Sequence, residues 1–138
     1  MILLEGDLVA MRKNRIMVVD DEPITIKMCE FILKKHDYNV VTAMSGRQCL
    51  DYLRNPDNPP VDLILLDIEM PVLNGYNTLS SIRQAESLKH IPVMFLTASA
   101  TQETVKEAIR LGVNSFLKKP FLPNELIEKV SSLLSTRQ

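Results

Sequence analysis

Residues 61–67 of this chain read VDLILLD, and this stretch decides the expected fold. Its apolar residues are continuous rather than alternating, which is typical of a parallel strand buried on both faces of a sheet. Comparable apolar runs occupy residues 15–19, 39–43, 92–96 and 115–117. Together with residues 61–66, these runs predict five strands.

Amphipathic patterns fill the gaps and predict five helices. They cover about residues 24–35, 45–54, 75–85, 101–111 and 124–134. The first helix is expected to bury the apolar residues that share one face, namely Ile24, Met28, Phe31 and Ile32. We expect Ser45 and Asn124 to cap the second and fifth helices, and Gly112 to end the fourth. Strict alternation of strands and helices predicts an α/β fold with a doubly wound parallel sheet.

Composition favours one globular domain. The chain has 138 residues, of which 46% are hydrophobic, so it can bury a core. Its 16 basic and 17 acidic residues give a net charge of -1, which does not favour direct binding to nucleic acid. No apolar run approaches the ~18 residues that span a bilayer. The start resembles no secretory signal, and Cys29 and Cys49 are expected to be reduced core thiols, so we expect a cytoplasmic protein. Residues 1–13 are expected to form an N-terminal extension, and 14–136 the domain.

Polar side chains follow four of the predicted strands. Asp20 and Asp21 follow the first strand, Asp67 the third, Thr97 the fourth and Lys119 the fifth. Because ligands of doubly wound sheets bind at the carboxyl ends of the strands, we expect these groups to meet at one rim. Taken singly, each could instead be a turn former, a helix cap or a solvated surface group.

The expected rim has an excess of negative charge. Crowded carboxylates repel one another unless a cation is present, and hard oxygen ligands favour Mg²⁺ over zinc. A cation, an ammonium and a hydroxyl suit a phosphoryl group, which an ionised carboxylate can attack in line. The glycine-rich motifs G-x-x-x-x-G-K-[ST] and G-x-G-x-x-G, which cradle nucleotides, do not occur in the sequence. His36 and His90 lie away from the strand ends, so histidine catalysis is not expected.

In this order, the residues resemble the receiver domain of two-component response regulators, the CheY-like domains. Residues 66–75 read LDIEMPVLNG, which is similar to the family pattern D-x-x-M-P-x-x-x-G. Residues 97–98 read TA and 119–121 read KPF, again as in the family. The resemblance covers about residues 14–136. It implies a flavodoxin-like (βα)5 fold with strand order 2-1-3-4-5.

The resemblance also implies a function and a metal. Asp67 would accept a phosphoryl group from a sensor histidine kinase or a histidine phosphotransfer protein. Mg²⁺ would be held by Asp21, Asp67 and the backbone carbonyl of Glu69, with Asp20 acting mainly through a water. The chain would be a signalling switch that catalyses only its own phosphorylation and dephosphorylation.

Three further roles follow from the resemblance. Lys119 would pair with the phosphoryl oxygens, and its peptide bond to Pro120 would be cis. Thr97 would hydrogen-bond to the phosphoryl group, and Phe116 would occupy the aromatic switch position. A face within residues 101–134 would then bind a downstream target or a second copy of the chain.

Two other classes of function remain open. An aspartate-nucleophile phosphohydrolase of the haloacid dehalogenase type needs a second Asp two residues after the nucleophile, where this chain has Glu69. A docking pseudo-receiver, or another flavodoxin-like binder, would not need the full acidic set together with Lys119. The sequence is compatible with a stand-alone receiver and with a fragment of a longer regulator.

Overall fold

The computed structural model describes residues 13–135, so the predicted N-terminal extension lies outside the described residues apart from Lys13. Within this range strands and helices alternate. They are β1 (Arg15–Val19), α1 (Pro23–Lys35), β2 (Asn39–Ala43), α2 (Gly46–Arg54), β3 (Leu63–Asp67), α3 (Gly75–Gln84), β4 (Val93–Thr97), α4 (Gln102–Arg110), β5 (Ser115–Lys118) and α5 (Pro123–Ser135). The strands form one parallel sheet in the order β2-β1-β3-β4-β5, which confirms the predicted doubly wound fold.

The two central strands, β3 and β4, have continuously apolar sequences because they are buried on both faces. Every residue of β3 and β4 is buried. Successive side chains of a strand point to opposite faces, so Ile64 and Leu66 join one core cluster while Leu63 and Leu65 join the other. Both faces of the sheet are covered by helices, and the polar residues of the predicted site lie at the ends of the strands.

Two of the predicted helix boundaries are confirmed and one is wrong. Ser45 accepts a hydrogen bond from the backbone N–H three residues later, at 3.1 Å. Gly112 follows α4 with a φ of 89°, a left-handed conformation that glycine adopts without strain. The predicted cap at Asn124 is wrong because α5 begins one residue earlier, at Pro123. The carboxylate of Glu125 instead accepts from the backbone N–H of Leu122, at 3.0 Å.

The buried face predicted for α1 is also wrong in part. Ile32 is buried, but Ile24 is 81% exposed and Phe31 is 69% exposed. The buried residues of this helix are Thr25, Ile26, Cys29, Ile32 and Leu33. Apolar residues recur at helical spacing on both faces of α1, and spacing alone does not show which face meets the sheet.

Arg83 holds the C-terminal end of α4 in place. Its guanidinium donates two hydrogen bonds to the carbonyl of Gly112 and one to the side-chain oxygen of Asn114. It also donates to the carbonyls of Lys89 and Ile91. Burial lowers the pKa of Arg83. The turn after α4 is thereby tied to the end of α3.

Candidate functional site

The carboxyl ends of β1, β3 and β5 bring together three of the predicted site residues. The ammonium Nζ of Lys119 lies 2.6 Å from Asp20 Oδ2 and 3.7 Å from Asp67 Oδ2. The Asp20 side chain is fully buried, and the Lys119 side chain is 14% exposed. Lys119 is therefore not a solvated surface lysine, and the rim predicted from the strand ends is present in the fold.

Four carboxylates lie close together at this rim. Ligand oxygens of Asp20, Asp21, Glu22 and Asp67 all lie within 4.8 Å of one another. Such a set offers only hard oxygen donors, which suit Mg²⁺. The single ammonium of Lys119 does not balance four carboxylates, so the donor set and the charge both fit a divalent cation.

The environment of Asp67 disfavours its charged form. Burial and the charge of Asp20 raise the pKa of Asp67 to about 7. A hydrogen bond from the backbone N–H of Glu69, at 3.1 Å, and the charge of Lys119 act in the opposite direction. The carboxylate therefore needs an added positive charge to be fully ionised near neutral pH.

In the absence of metal, this raised pKa is expected to lower stability as the pH rises. Between pH 3.8, the ordinary pKa of an Asp side chain, and about 7, the pKa of Asp67 in the fold, the folded state retains a proton that the unfolded chain has lost. Raising the pH through that window therefore favours unfolding. Asp67→Asn removes this pH effect. In EDTA, the gain in the free energy of unfolding caused by Asp67→Asn should therefore be larger at pH 8 than at pH 5, and the difference should be on the order of 1–3 kcal/mol.

Urea unfolding at the two pH values measures this difference. Asp51→Asn, at an exposed position on α2, is the matched control. An equal effect of Asp67→Asn at both pH values would contradict the prediction.

Thr97 ends β4 at the same rim and is 1% exposed. Its hydroxyl donates to the carbonyl of Ser99 at 2.8 Å and accepts from the backbone N–H of Ser99 at 3.0 Å. This is a local turn, one of the two roles that the sequence allowed for Thr97. The backbone carbonyl of Thr97 also accepts from the N–H of Lys119, at 2.8 Å, so β4 and β5 are joined beside the site. The peptide bond from Lys119 to Pro120 is cis, as the resemblance implied.

Phe116 lies on β5 and is half-buried. Its ring meets the ring of Phe95 edge-on, with centroids 6.0 Å apart. Phe95 meets Tyr76 of α3 in the same way, at 5.7 Å. The aromatic position predicted as a switch is thus packed into a row of rings that reaches the helix following Asp67.

The sequence did not predict the role of the Glu22 side chain. Its carboxylate lies 3.3 Å from Lys119 Nζ. The available signal was a third acid directly after the Asp20-Asp21 pair, at the end of the first predicted strand. A cleft of about 320 Å³ opens beside this contact and is lined in part by Met28 and Phe121.

None of the helices described between residues 13 and 135 combines the length and the apolar character needed to cross a bilayer.

Comparisons with known proteins agree with this geometry. The family model for the response regulator receiver domain matches residues 16–131. Response regulator SaeR of Staphylococcus aureus is 32% identical over 122 residues, which are 88% of this chain and 51% of SaeR. The chain thus spans about half the length of the curated relatives it matches.

Two solved structures show the same fold. Chemotaxis protein CheY4 of Vibrio cholerae aligns with a TM-score of 0.84 and 28% identity, covering 89% of this chain and all of CheY4. The receiver domain of sensor histidine kinase PA1611 of Pseudomonas aeruginosa aligns with a TM-score of 0.79 and 29% identity, covering 91% of this chain and all of that domain. That structure has a magnesium ion coordinated in its active site cleft.

Proposed function

Because this chain belongs to the response regulator receiver domain family, we propose that Asp67 accepts a phosphoryl group from the phosphohistidine of a sensor histidine kinase or a histidine phosphotransfer protein. The observation that carries the proposal is the buried Asp67 carboxylate beside Asp20 and Lys119, with Asp21 and Glu22 completing the acidic group. A carboxylate oxygen of Asp67 forms the new P–O bond as the P–N bond breaks. The imidazole nitrogen keeps the bonding pair and takes a proton from solvent.

Mg²⁺ is the proposed cofactor, and the donor set supports it. Asp21 and Asp67 would hold it together with the backbone carbonyl of Glu69. Both oxygens of Asp20 already have partners, since Oδ1 accepts from the N–H of Glu22 at 2.9 Å and Oδ2 from Lys119. Asp20 would therefore act mainly through a water. When bound, the cation neutralises phosphoryl oxygens and favours the ionised form of Asp67.

Lys119 is proposed to bind a phosphoryl oxygen. Burial opposes its charged form, but the hydrogen bond and charge of Asp20 and the charge of Asp67 outweigh burial and raise the pKa of Lys119. The ammonium therefore stays charged at neutral pH. At 3.7 Å from Asp67 Oδ2, it lies close to where a phosphoryl group would be attached.

Mg²⁺ is expected to raise the free energy of unfolding, because it binds the folded site and not the unfolded chain. At 100 times its Kd the gain should be about 2.7 kcal/mol. Asp21→Asn should lose most of this gain and Asp20→Asn less, since the Asp20 oxygens are already engaged. Urea unfolding with and without Mg²⁺ measures both effects. Equal Mg²⁺ stabilisation of the wild type and of an Asp21→Asn/Asp67→Asn double variant would contradict the metal assignment.

We further propose that phosphorylation changes the face formed by residues 101–134. A phosphoryl group adds about -1.5 to -2 charges at neutral pH. Thr97 would leave its turn with Ser99 to donate to the phosphoryl oxygens, and Phe116 would move further inward. Ala108 is the only residue of α4 that is buried, so this helix is weakly held except at its end near Arg83. Such a helix can shift at little cost in buried area, and the exposed face would bind a downstream target or a second copy.

Thr97→Ala is expected to uncouple this face from the site, because it removes the hydroxyl that responds to the phosphoryl group. With Mg²⁺ and beryllofluoride, a phosphoryl mimic, backbone amide signals of the wild type should shift at Asp67 and across 101–118. In Thr97→Ala the distal shifts should be strongly reduced. Thr42→Ala, at an exposed position of β2, is the control. Wild-type shifts confined to the neighbours of Asp67 would contradict the coupling.

One experiment tests the proposed function itself. The protein is incubated with Mg²⁺ and acetyl phosphate, and its intact mass is measured. We expect a single phosphoryl adduct that requires Mg²⁺ and is removed by hydroxylamine, as an acyl phosphate is. Absence of an adduct would favour a docking pseudo-receiver, and turnover of added phosphomonoesters would favour a phosphohydrolase.

A further inference from the structure

Glu22 occupies the position immediately before α1, yet its side chain does not cap the helix. Its backbone is extended, and its carbonyl accepts the hydrogen bond from Ile26 N–H. At this position a short polar side chain usually accepts a hydrogen bond from the first turn. The Glu22 carboxylate makes no such bond. Its place in the helix therefore does not explain its side chain.

The Glu22 carboxylate instead faces a lysine 97 residues away in the chain. Its Oε1 lies 3.3 Å from Lys119 Nζ, while Asp20 Oδ2 lies at 2.6 Å and Asp67 Oδ2 at 3.7 Å. The ammonium is thus closer to Asp20 and Glu22 than to Asp67. In this geometry the ammonium is shared mainly by Asp20 and Glu22, and its contact with Asp67 is the longest of the three.

The two nearer carboxylates hold Lys119 differently. Asp20 is fully buried and is fixed further by the backbone N–H of Glu22, at 2.9 Å. The Glu22 side chain is 63% exposed, so solvent screens its attraction for Lys119. The contact with Asp20 is therefore the permanent one, and the contact with Glu22 is the one that breaks easily.

We propose that Glu22 is a positioning residue that shares the Lys119 ammonium with Asp20 and holds it back from Asp67 until a phosphoryl group arrives. This inference rests on the proposed function of Asp67. A phosphoryl group carries more negative charge than the Glu22 carboxylate and lies in a less exposed place, so it draws Lys119 away from Glu22. Removing the Glu22 carboxylate leaves the ammonium free to approach Asp67 before the reaction.

Glu22→Gln tests the inference in the full chain. Phosphorylation by acetyl phosphate is followed over a series of Mg²⁺ concentrations, which separates metal affinity from the maximal rate. At saturating Mg²⁺ we expect the maximal rate of phosphorylation to rise about two- to five-fold, because the exposed ion pair that is lost contributes only a small interaction energy. The gain should shrink at high salt, because salt screens that pair in the wild type. Glu128→Gln removes one exposed acid from α5 and is the charge-matched control.

Other outcomes would overturn the inference. A weaker apparent Mg²⁺ affinity with an unchanged maximal rate would make Glu22 a metal-site carboxylate. A lower Tm with unchanged kinetics would make it a structural residue of α1. An equal gain in Glu128→Gln would show a general effect of surface charge.

A second measurement does not depend on phosphorylation. In metal-free protein, the NMR signal of the Lys119 methylene next to the ammonium should shift in Glu22→Gln and not in Glu128→Gln. An unchanged Lys119 signal would overturn the sharing of the ammonium. If the signal shifts but the wild type takes no phosphoryl group, the proposed function fails while the shared contact stands.

Discussion

Replacing Asp67 with Asn is expected to abolish the Mg²⁺-dependent phosphoryl adduct. An amide has no ionised oxygen with which to attack phosphorus, while its shape is almost that of the carboxylate. Asp67 is 3% exposed at the end of the central strand β3, so Asn keeps the packing around it. The neighbouring Asp20 does not replace it, because Lys119 and the N–H of Glu22 already occupy both oxygens of Asp20.

Intact mass and peptide mapping measure this loss, and a thermal melt verifies that the variant is folded. Asp21→Asn is the informative control, since it weakens metal binding but keeps the nucleophile. It should be labelled more slowly and still on Asp67. An adduct of undiminished stoichiometry in Asp67→Asn would show that the nucleophile lies elsewhere and would contradict the proposed function.

The neighbouring lysines Lys118 and Lys119 are expected to behave very differently when each is replaced with Ala. Lys118 is exposed at the end of β5, whereas Lys119 is 14% exposed and contacts Asp20. Loss of a fixed cation at the reacting group should lower the maximal phosphorylation rate of Lys119→Ala by about 100-fold or more. Lys118→Ala should remain within about two-fold of the wild type, as is usual for an exposed residue outside the site.

Lys119→Ala also leaves Asp20 buried without its cation, which typically costs about 3–5 kcal/mol. Rates are therefore measured at saturating Mg²⁺, on protein shown to be folded by its amide spectrum. Lys119→Arg keeps the positive charge on a side chain of different shape. It should therefore lose less of the free energy of unfolding than Lys119→Ala, while its phosphorylation rate stays reduced. If the two alanine variants reacted at the same rate, the Lys119 ammonium would have no part in the transfer.

Much of the fold follows from local pattern. Residues 63–66 are continuously apolar because both faces of β3 are covered, and the same pattern identifies β1 and β4. Ser45 caps α2 and Gly112 follows α4 as predicted, because capping depends on one residue and its near neighbours. The predicted helix cap at Asn124 was wrong, because the preceding residue, Pro123, is already the first residue of α5.

The rim of the site was also predictable, because parallel strands necessarily bring their carboxyl ends to one edge. Asp20, Asp67 and Lys119 meet there as expected. The sequence did not predict that the Thr97 hydroxyl bonds to Ser99, since a threonine at a strand end can turn toward its own loop or toward the site. The two orientations differ by a rotation about one side-chain bond of Thr97, and the amino-acid sequence does not show which one is adopted.

The sequence by itself thus determined the order of strands and helices, the edge where the acids and the lysine gather, and the family. Only the tertiary structure decided which face of α1 is buried and how the carboxylates share Lys119. The exposure of Phe31, which the sequence had placed on the buried face, depends on how the helix is rotated against the sheet, because apolar residues occur on both sides. The contact between Glu22 and Lys119 depends on a distance between segments that are 97 residues apart, which no local spacing encodes.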